Sequence, residues 1–195
     1  MTIKNQENRT FNITSIETRS VGEDGGHVLS GYASVFNSKT TIHEGLEEVI
    51  SPGAFSNAIS NNSDVRCLFN HSWDSVLGRT RSGTLKLEED KKGLKFEVEL
   101  PDTTLANDLI KSIERGDIDQ CSFGFWPTKE VWDYDSNPVL RTIESVELYD
   151  VSIVTLPAYA DTEVSLVRSN NMLEKSNIEK RKKILNILEG AIKNG

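Results

Sequence analysis

"IDQCSFGFWP", Ile118 to Pro127, is an apolar stretch with a hydroxyl and a bare glycine in its middle. Its close-set apolar and aromatic residues read as a β-strand, which Pro127 is expected to end. Side chains alternate across a strand, so Ser122 and Gly124 share one face while Cys121, Phe123 and Phe125 take the other. The aromatic face suits a core. The Ser122 face reads in two ways: an ordinary strand serine beside a bulge glycine, or a nucleophile with space left for a substrate. The second reading needs a base and an acid from elsewhere in the chain.

Working outward, most neighbouring segments also alternate. "FNITSIETRS" (11–20) and "HVLSGYASVFN" (27–37) read as strands joined by the turn-forming "VGEDGG", and "DVRCLFNH" (64–71) as a strand with Val65, Cys67, Phe69 and His71 on one face. "GTLKLEEDKKGLKFEVELP" (83–101) is a hairpin about "DKKG", and "VLRTIESVELYDVSIVTLP" (139–157) a long β-branched strand. Two helices interrupt this pattern. One begins with Ser51 as cap and Pro52 in the first turn; the other runs from Asp102 to Gly116 and buries Leu105, Leu109, Ile110 and Ile113. "TTIHEGLEEVI" (40–50) is ambiguous, and "SWDSVLGRTRSG" after His71 reads as a loop.

The chain has 195 residues, 27% of them charged, and a formal net charge of −8. That length suits one domain with an appendage, enough to bury roughly 70% of its unfolded surface. Residues 1–9 are expected to be a loose polar N-terminus, 10–168 the folded body, and 169–195 a basic tail. Within the tail, Ser176 and Glu179 form a capping box, and Ile178, Leu185, Leu188 and Ile192 are spaced for a helix. The acidic body argues against nucleic-acid binding, and no segment has the length and hydropathy for export or a bilayer span. A soluble intracellular protein is the expectation. Cys67 and Cys121 make neither a disulfide framework nor a metal knuckle.

A serine nucleophile needs a base to take its proton and an acid to orient that base. Three histidines are present. His27 follows a glycine turn and His43 sits in an acidic loop, whereas His71 ends an apolar strand at a loop, where active-site groups tend to sit. A structural histidine is the plain alternative for His71. Asp150 interrupts an apolar strand and, counting by twos, shares a face with Leu148, Ser152 and Val154; Glu147 lies opposite. A carboxylate among such neighbours needs a partner, and a histidine would serve. Cys121 is an alternative nucleophile, better read as a small core residue. A zinc site from Cys67, His71 and Asp74 has only one sulfur, and no GxSxG, GxGxxG or Walker motif occurs.

The order "GYASVFN", "EEVISPGAF", "LFNHSWDSVLGRT", "GTLKLEEDKKGLKFEVELPDT", "IERGDIDQCSFGF", "LYDVSIVTLPAYADTEV" resembles the prohead (procapsid maturation) protease family of tailed bacteriophages from about Gly31 to Val167. The resemblance implies an α+β fold related to herpesvirus assemblin: a β-barrel-like antiparallel core with flanking helices, here with a C-terminal helix added. It makes 10–168 the protease domain, His71 the base, Ser122 the nucleophile and Asp150 the acid, with Glu147 as the other candidate because many relatives carry Glu. It implies no cofactor. Gly124 would leave room for an extended peptide, backbone amides at Ala158 and Tyr159 would bind the oxyanion, and Arg79 and Arg81 would help with the oxyanion or an acidic substrate. The implied substrates are scaffold, major capsid protein and the protease itself, cut inside the procapsid in the host cytoplasm, with a homodimer as in assemblin-like enzymes. The basic tail reads in two ways, as a segment that recruits the enzyme to scaffold helices or as a helix capping the body. The competing reading is a non-enzymatic assembly protein that keeps this fold, which should have lost at least one of the three side chains.

Overall fold

The computed structural model describes residues 7–12, 17–21, 26–61 and 63–155. Among them run β1 (Glu7–Asn12), β2 (Glu17–Val21), β3 (Gly26–Val35), β4 (Thr40–His43), β5 (Leu46–Ile50), α1 (Ser56–Ser60), β6 (Arg66–Phe69), β7 (Ser72–Arg79), β8 (Leu85–Glu89), β9 (Gly93–Leu100), α2 (Thr104–Glu114), β10 (Gln120–Asp133) and β11 (Val139–Val154). They form a four-stranded sheet, β2-β3-β9-β8, and a seven-stranded sheet in which β1-β10-β11-β5-β4 is the main path. β6 also pairs with β11 and carries β7 on its outer side.

The body is therefore mostly sheet, as expected, but not wholly antiparallel. β11 is long enough to take two parallel partners in succession, β5 along Val139–Ile143 and β6 along Asp150–Ile153. The α1 segment carries the chain from one to the other. One apolar cluster fills the space between the sheets: Leu29, Phe96 and Val98 from one, Cys121, Phe123, Leu148 and Val151 from the other. Phe123 stands edge-on to Phe55 at 5.3 Å and stacks on Phe125 at 4.9 Å between ring centroids. Fully burying each such ring stabilises by about 1.5–3 kcal/mol.

Strict alternation found the β8–β9 hairpin, and the amphipathic pattern found α2. Thr103 caps that helix by accepting from the Ala106 amide, and Ala106, Leu109 and Ile110 are its buried side. Elsewhere tertiary partners override local signals. Residues 52–55 are turns, α1 starts at Ser56, and its cap position is Phe55, which has no capping side chain. The carboxylate of Glu89 instead ties down the turn that leads into the helix, accepting from the amides of Gly53 and Phe55 and from Ser56 Oγ. Pro127 does not end its strand, since β10 continues to Asp133 with register shifts beside the proline that absorb its missing amide. The stretch after His71, expected as a loop, is edge strand β7. The N-terminus corrects as well: Glu7, Asn8 and Arg9 are not loose but belong to β1, and the expected strand over 11–20 divides between β1 and β2. The C-terminal helix, Ala158 and Tyr159 lie outside the described residues.

Candidate active site

Three adjacent strands assemble the site. On β10, Ser122 pairs with Ser152 of β11 and Gly124 with Asp150, so Ser122 and Asp150 are diagonal neighbours. β6 lies on the other side of β11, with Phe69 opposite Ile153. Phe69 then pairs with Ser72, leaving Asn70 and His71 as a two-residue hairpin loop. Their φ values of 52° and 56° are both left-handed, as a tight hairpin turn requires. Asparagine tolerates this conformation; histidine does so less well, and such backbone costs about 1–3 kcal/mol. Asn70 secures the turn, its amide donating to Ile153 O at 2.9 Å and its Oδ1 accepting from the Thr155 amide at 2.9 Å. His71 thus does not end β6 on the face of Cys67, as simple alternation suggests. Cys67 lies in the core, while the turn carries the imidazole back toward β10 and β11.

His71 Nδ1 lies 2.7 Å from Asp150 Oδ2, and Nε2 lies 2.7 Å from Ser122 Oγ. With a carboxylate on one side, Nδ1 is the donor and Nε2 is left to accept the hydroxyl proton. Ser122 and Asp150 are fully buried, and the His71 side chain keeps 16% exposure. Ser152 Oγ donates to the same Asp150 oxygen at 2.6 Å, a second anchor for the carboxylate that sequence reading placed on the right face without giving it a role. Hydroxyl, imidazole and carboxylate in this order can pass a proton off the serine.

How Asp150 reaches this face is a correction. Val146, Leu148, Val151 and Ile153 all belong to the core cluster, so the alternation changes phase between Leu148 and Val151. Gly124 pairs with Asp150 but Phe125 with Leu148, leaving Tyr149 as the extra residue of a β-bulge. Leu148 therefore does not share the Asp150 face. Without the bulge, Asp150 would follow Val146 and Leu148 into the core. Tyr149 turns its hydroxyl to Phe125 O at 3.2 Å and Glu7 O at 3.3 Å. Burial, reinforced by Asp150 and Glu7, pushes that phenol well above its usual range and keeps it a donor.

Gly124 has a different use from the one expected. A Cβ there would stand 2.1 Å from Asp150 Oδ1 and 2.6 Å from Tyr149 Cε2, so the glycine makes room for the carboxylate and the bulge rather than for a peptide. Glu147 is exposed on its strand, and it is Asp150 that bonds the imidazole. Arg79 sits at the far end of β7 from the His71 turn, where its guanidinium holds Asp64 at 2.6 Å, and Arg81 acts on the same carboxylate. Neither is directed at Ser122. Cys121 points into the core, where burial pushes its thiol far above the ordinary range, and Cys67 is held protonated in the same way. Among the described residues Cys67, His71 and Asp74 do not gather into a group that could hold a metal.

β1 was the missed element. Arg9 clamps Glu48 with two hydrogen bonds of 2.6 and 2.9 Å, and Arg141 reaches Glu7 at 2.7 Å and Glu48 at 2.9 Å, with Glu130 closing the cluster. Its cue was the charge pair in "ENR" together with the charges of 40–50 and 139–157, which no local pattern connects.

A family model for the caudovirus prohead serine protease matches residues 14–177. The prohead protease of Enterobacteria phage HK97 is 32% identical over 170 residues, covering 85% of this chain and 71% of that protein. The bacteriophage T4 capsid assembly protease, gp21, superposes with a TM-score of 0.53 over 76% of this chain and 96% of that one; at 10% identity the likeness is one of fold. The class that these findings define is a serine protease. The chain belongs to the caudovirus prohead serine protease family, the proteases of bacteriophage capsid maturation.

Proposed function

We propose that Ser122, His71 and Asp150 are the catalytic triad of this capsid maturation protease, and that it cleaves scaffold and major capsid protein, and itself, inside the procapsid in the host cytoplasm. One observation carries the reading: the His71 ring spans Asp150 and Ser122 with 2.7 Å contacts on both sides. Ser122 attacks the scissile carbonyl while His71 Nε2 takes its proton and returns it to the leaving amine. Asp150, held by Ser152, fixes the ring orientation and stabilises the charge that His71 gains. Backbone amides around Ala158 and Tyr159 supply the oxyanion donors, each worth about 3–4 kcal/mol in such sites.

The test is Ser122→Ala co-expressed with the cognate capsid and scaffold proteins. Loss of a triad nucleophile costs on the order of a million-fold in rate. Shells should assemble with their proteins uncut. Continued processing by the variant, with the same cut sites, would refute the assignment.

A further inference from the structure

Ser122 is completely buried, although a protease nucleophile has to meet a peptide. Its cover is β1. Thr10 pairs opposite Ser122, and Ser122 Oγ donates to the carbonyl oxygen of Arg9 at 2.9 Å. We propose that β1 is a built-in occupant of the substrate's place, so that the chain is latent while Glu7–Asn12 is docked and becomes reactive when that strand leaves β10. The inference rests on Ser122 being the nucleophile, as argued above.

The fit is that of a substrate strand. β1 lies extended and antiparallel to β10 from Glu7 opposite Phe125 to Asn12 opposite Gln120, the mode in which sheet edges capture peptides. It also brings a backbone carbonyl to the serine. The contact, however, is a hydrogen bond to the carbonyl oxygen, the atom that in an attacked peptide must turn toward oxyanion donors instead. A hydroxyl has one proton to give, and while it is given to Arg9 O it is not directed at His71 Nε2. Docked in this way, β1 competes with the base and blocks approach without presenting a cleavable geometry.

The fastenings suit a strand that can detach. β1 is an edge strand with one ladder partner, and its described anchors are polar: Arg9 on Glu48, Glu7 on Arg141, and the Tyr149 hydroxyl on Glu7 O. Glu7 and Arg9 carry opposite charges, so their departure leaves the charge balance of the cluster unchanged. Arg141 would keep Glu48 and Glu130 as partners. The body thus retains a paired cluster when the strand leaves.

The test uses the full chain and a fluorophosphonate probe for reactive serines, with labelling mapped to Ser122 and Ser122→Ala as the blank. Arg9→Glu sets an acid against Glu48 and loosens β1, and labelling should rise roughly tenfold or more, in proportion to the undocked fraction. A synthetic peptide of residues 7–12 added to Arg9→Glu should slow it again, and the same peptide with Glu for Arg9 should not. Arg9→Lys should stay near the parent rate. If circular dichroism shows Arg9→Glu unfolded, Arg9→Ala is read by the same rates. Equal labelling of parent and folded variant overturns latency while leaving the protease reading intact; no labelling of Ser122 in either overturns the nucleophile itself.

Discussion

Gly124→Ala strains the contact on which the site geometry turns. The new methyl carbon would lie 2.1 Å from Asp150 Oδ1, against an ordinary carbon–oxygen approach of about 3.3 Å, so something must yield by about 1 Å. Two groups are in the way, the Tyr149 ring edge at 2.6 Å and, nearer, the Asp150 carboxylate, which is buried and pinned at 2.7 Å to His71 and 2.6 Å to Ser152. Moved that far, it no longer makes a hydrogen bond to Nδ1. Misplacement by ~1 Å costs about 10²-fold in rate, and full loss of the orienting acid about 10⁴-fold in related triads, so kcat should fall between these limits. The overpacking penalty of about 1–3 kcal/mol leaves the protein folded. The assay is cleavage of a fluorogenic peptide spanning a processed capsid-protein site, run on Gly124→Ala, Asp150→Asn and the double variant. Because both changes act on one contact, the double variant should be little worse than Asp150→Asn alone. A folded Gly124→Ala enzyme with the parent's kcat would refute the argument, showing either that the carboxylate moves freely or that its contact with His71 does not matter.

Further expectations follow from other contacts. Glu147→Gln should leave cleavage within about twofold of the parent, whereas Asp150→Asn should lower kcat by about 10⁴-fold; the reverse ranking would make Glu147 the third member. Arg141→Ala strands acids in a buried cluster where the arginine side chain is 3% exposed, and should cost about 3–5 kcal/mol in urea unfolding. Arg79 holds the Asp64 carboxyl down to about 2, so this group favours the folded state above its ordinary pKa and loses that contribution as pH falls from about 4 toward about 2. Asp64→Asn should flatten that acid limb in melting curves taken across the range.

Much of the fold could be read locally. Alternation within 83–101 specifies a hairpin because each residue's face follows from its neighbours, and the Thr103 cap with its amphipathic run specifies α2 by the same short-range rule. The two faces of "QCSFGF" were also legible: Phe123 and Phe125 entered the core, and Ser122 faced away from it. Strand position and parity singled out His71, Ser122 and Asp150 as candidates, and the resemblance assigned their roles. The left-handed Asn70–His71 turn had a local cue, since asparagine is favoured there, but strand parity masked it.

What only tertiary structure decided involves atoms far apart in the chain. Glu89 bonds the Ser56 hydroxyl at the start of α1 from 33 residues further along, the Arg9–Glu48 clamp joins positions 39 apart, and Gly124 is required by a carboxylate on the next strand. The Tyr149 bulge decides whether Asp150 meets the core or the imidazole, and composition does not record one extra residue in a ladder. Sequence periodicity states which side of an element a residue takes, because that follows from bond geometry. Which partner waits on that side depends on register between strands, and register is settled only when the whole sheet is packed.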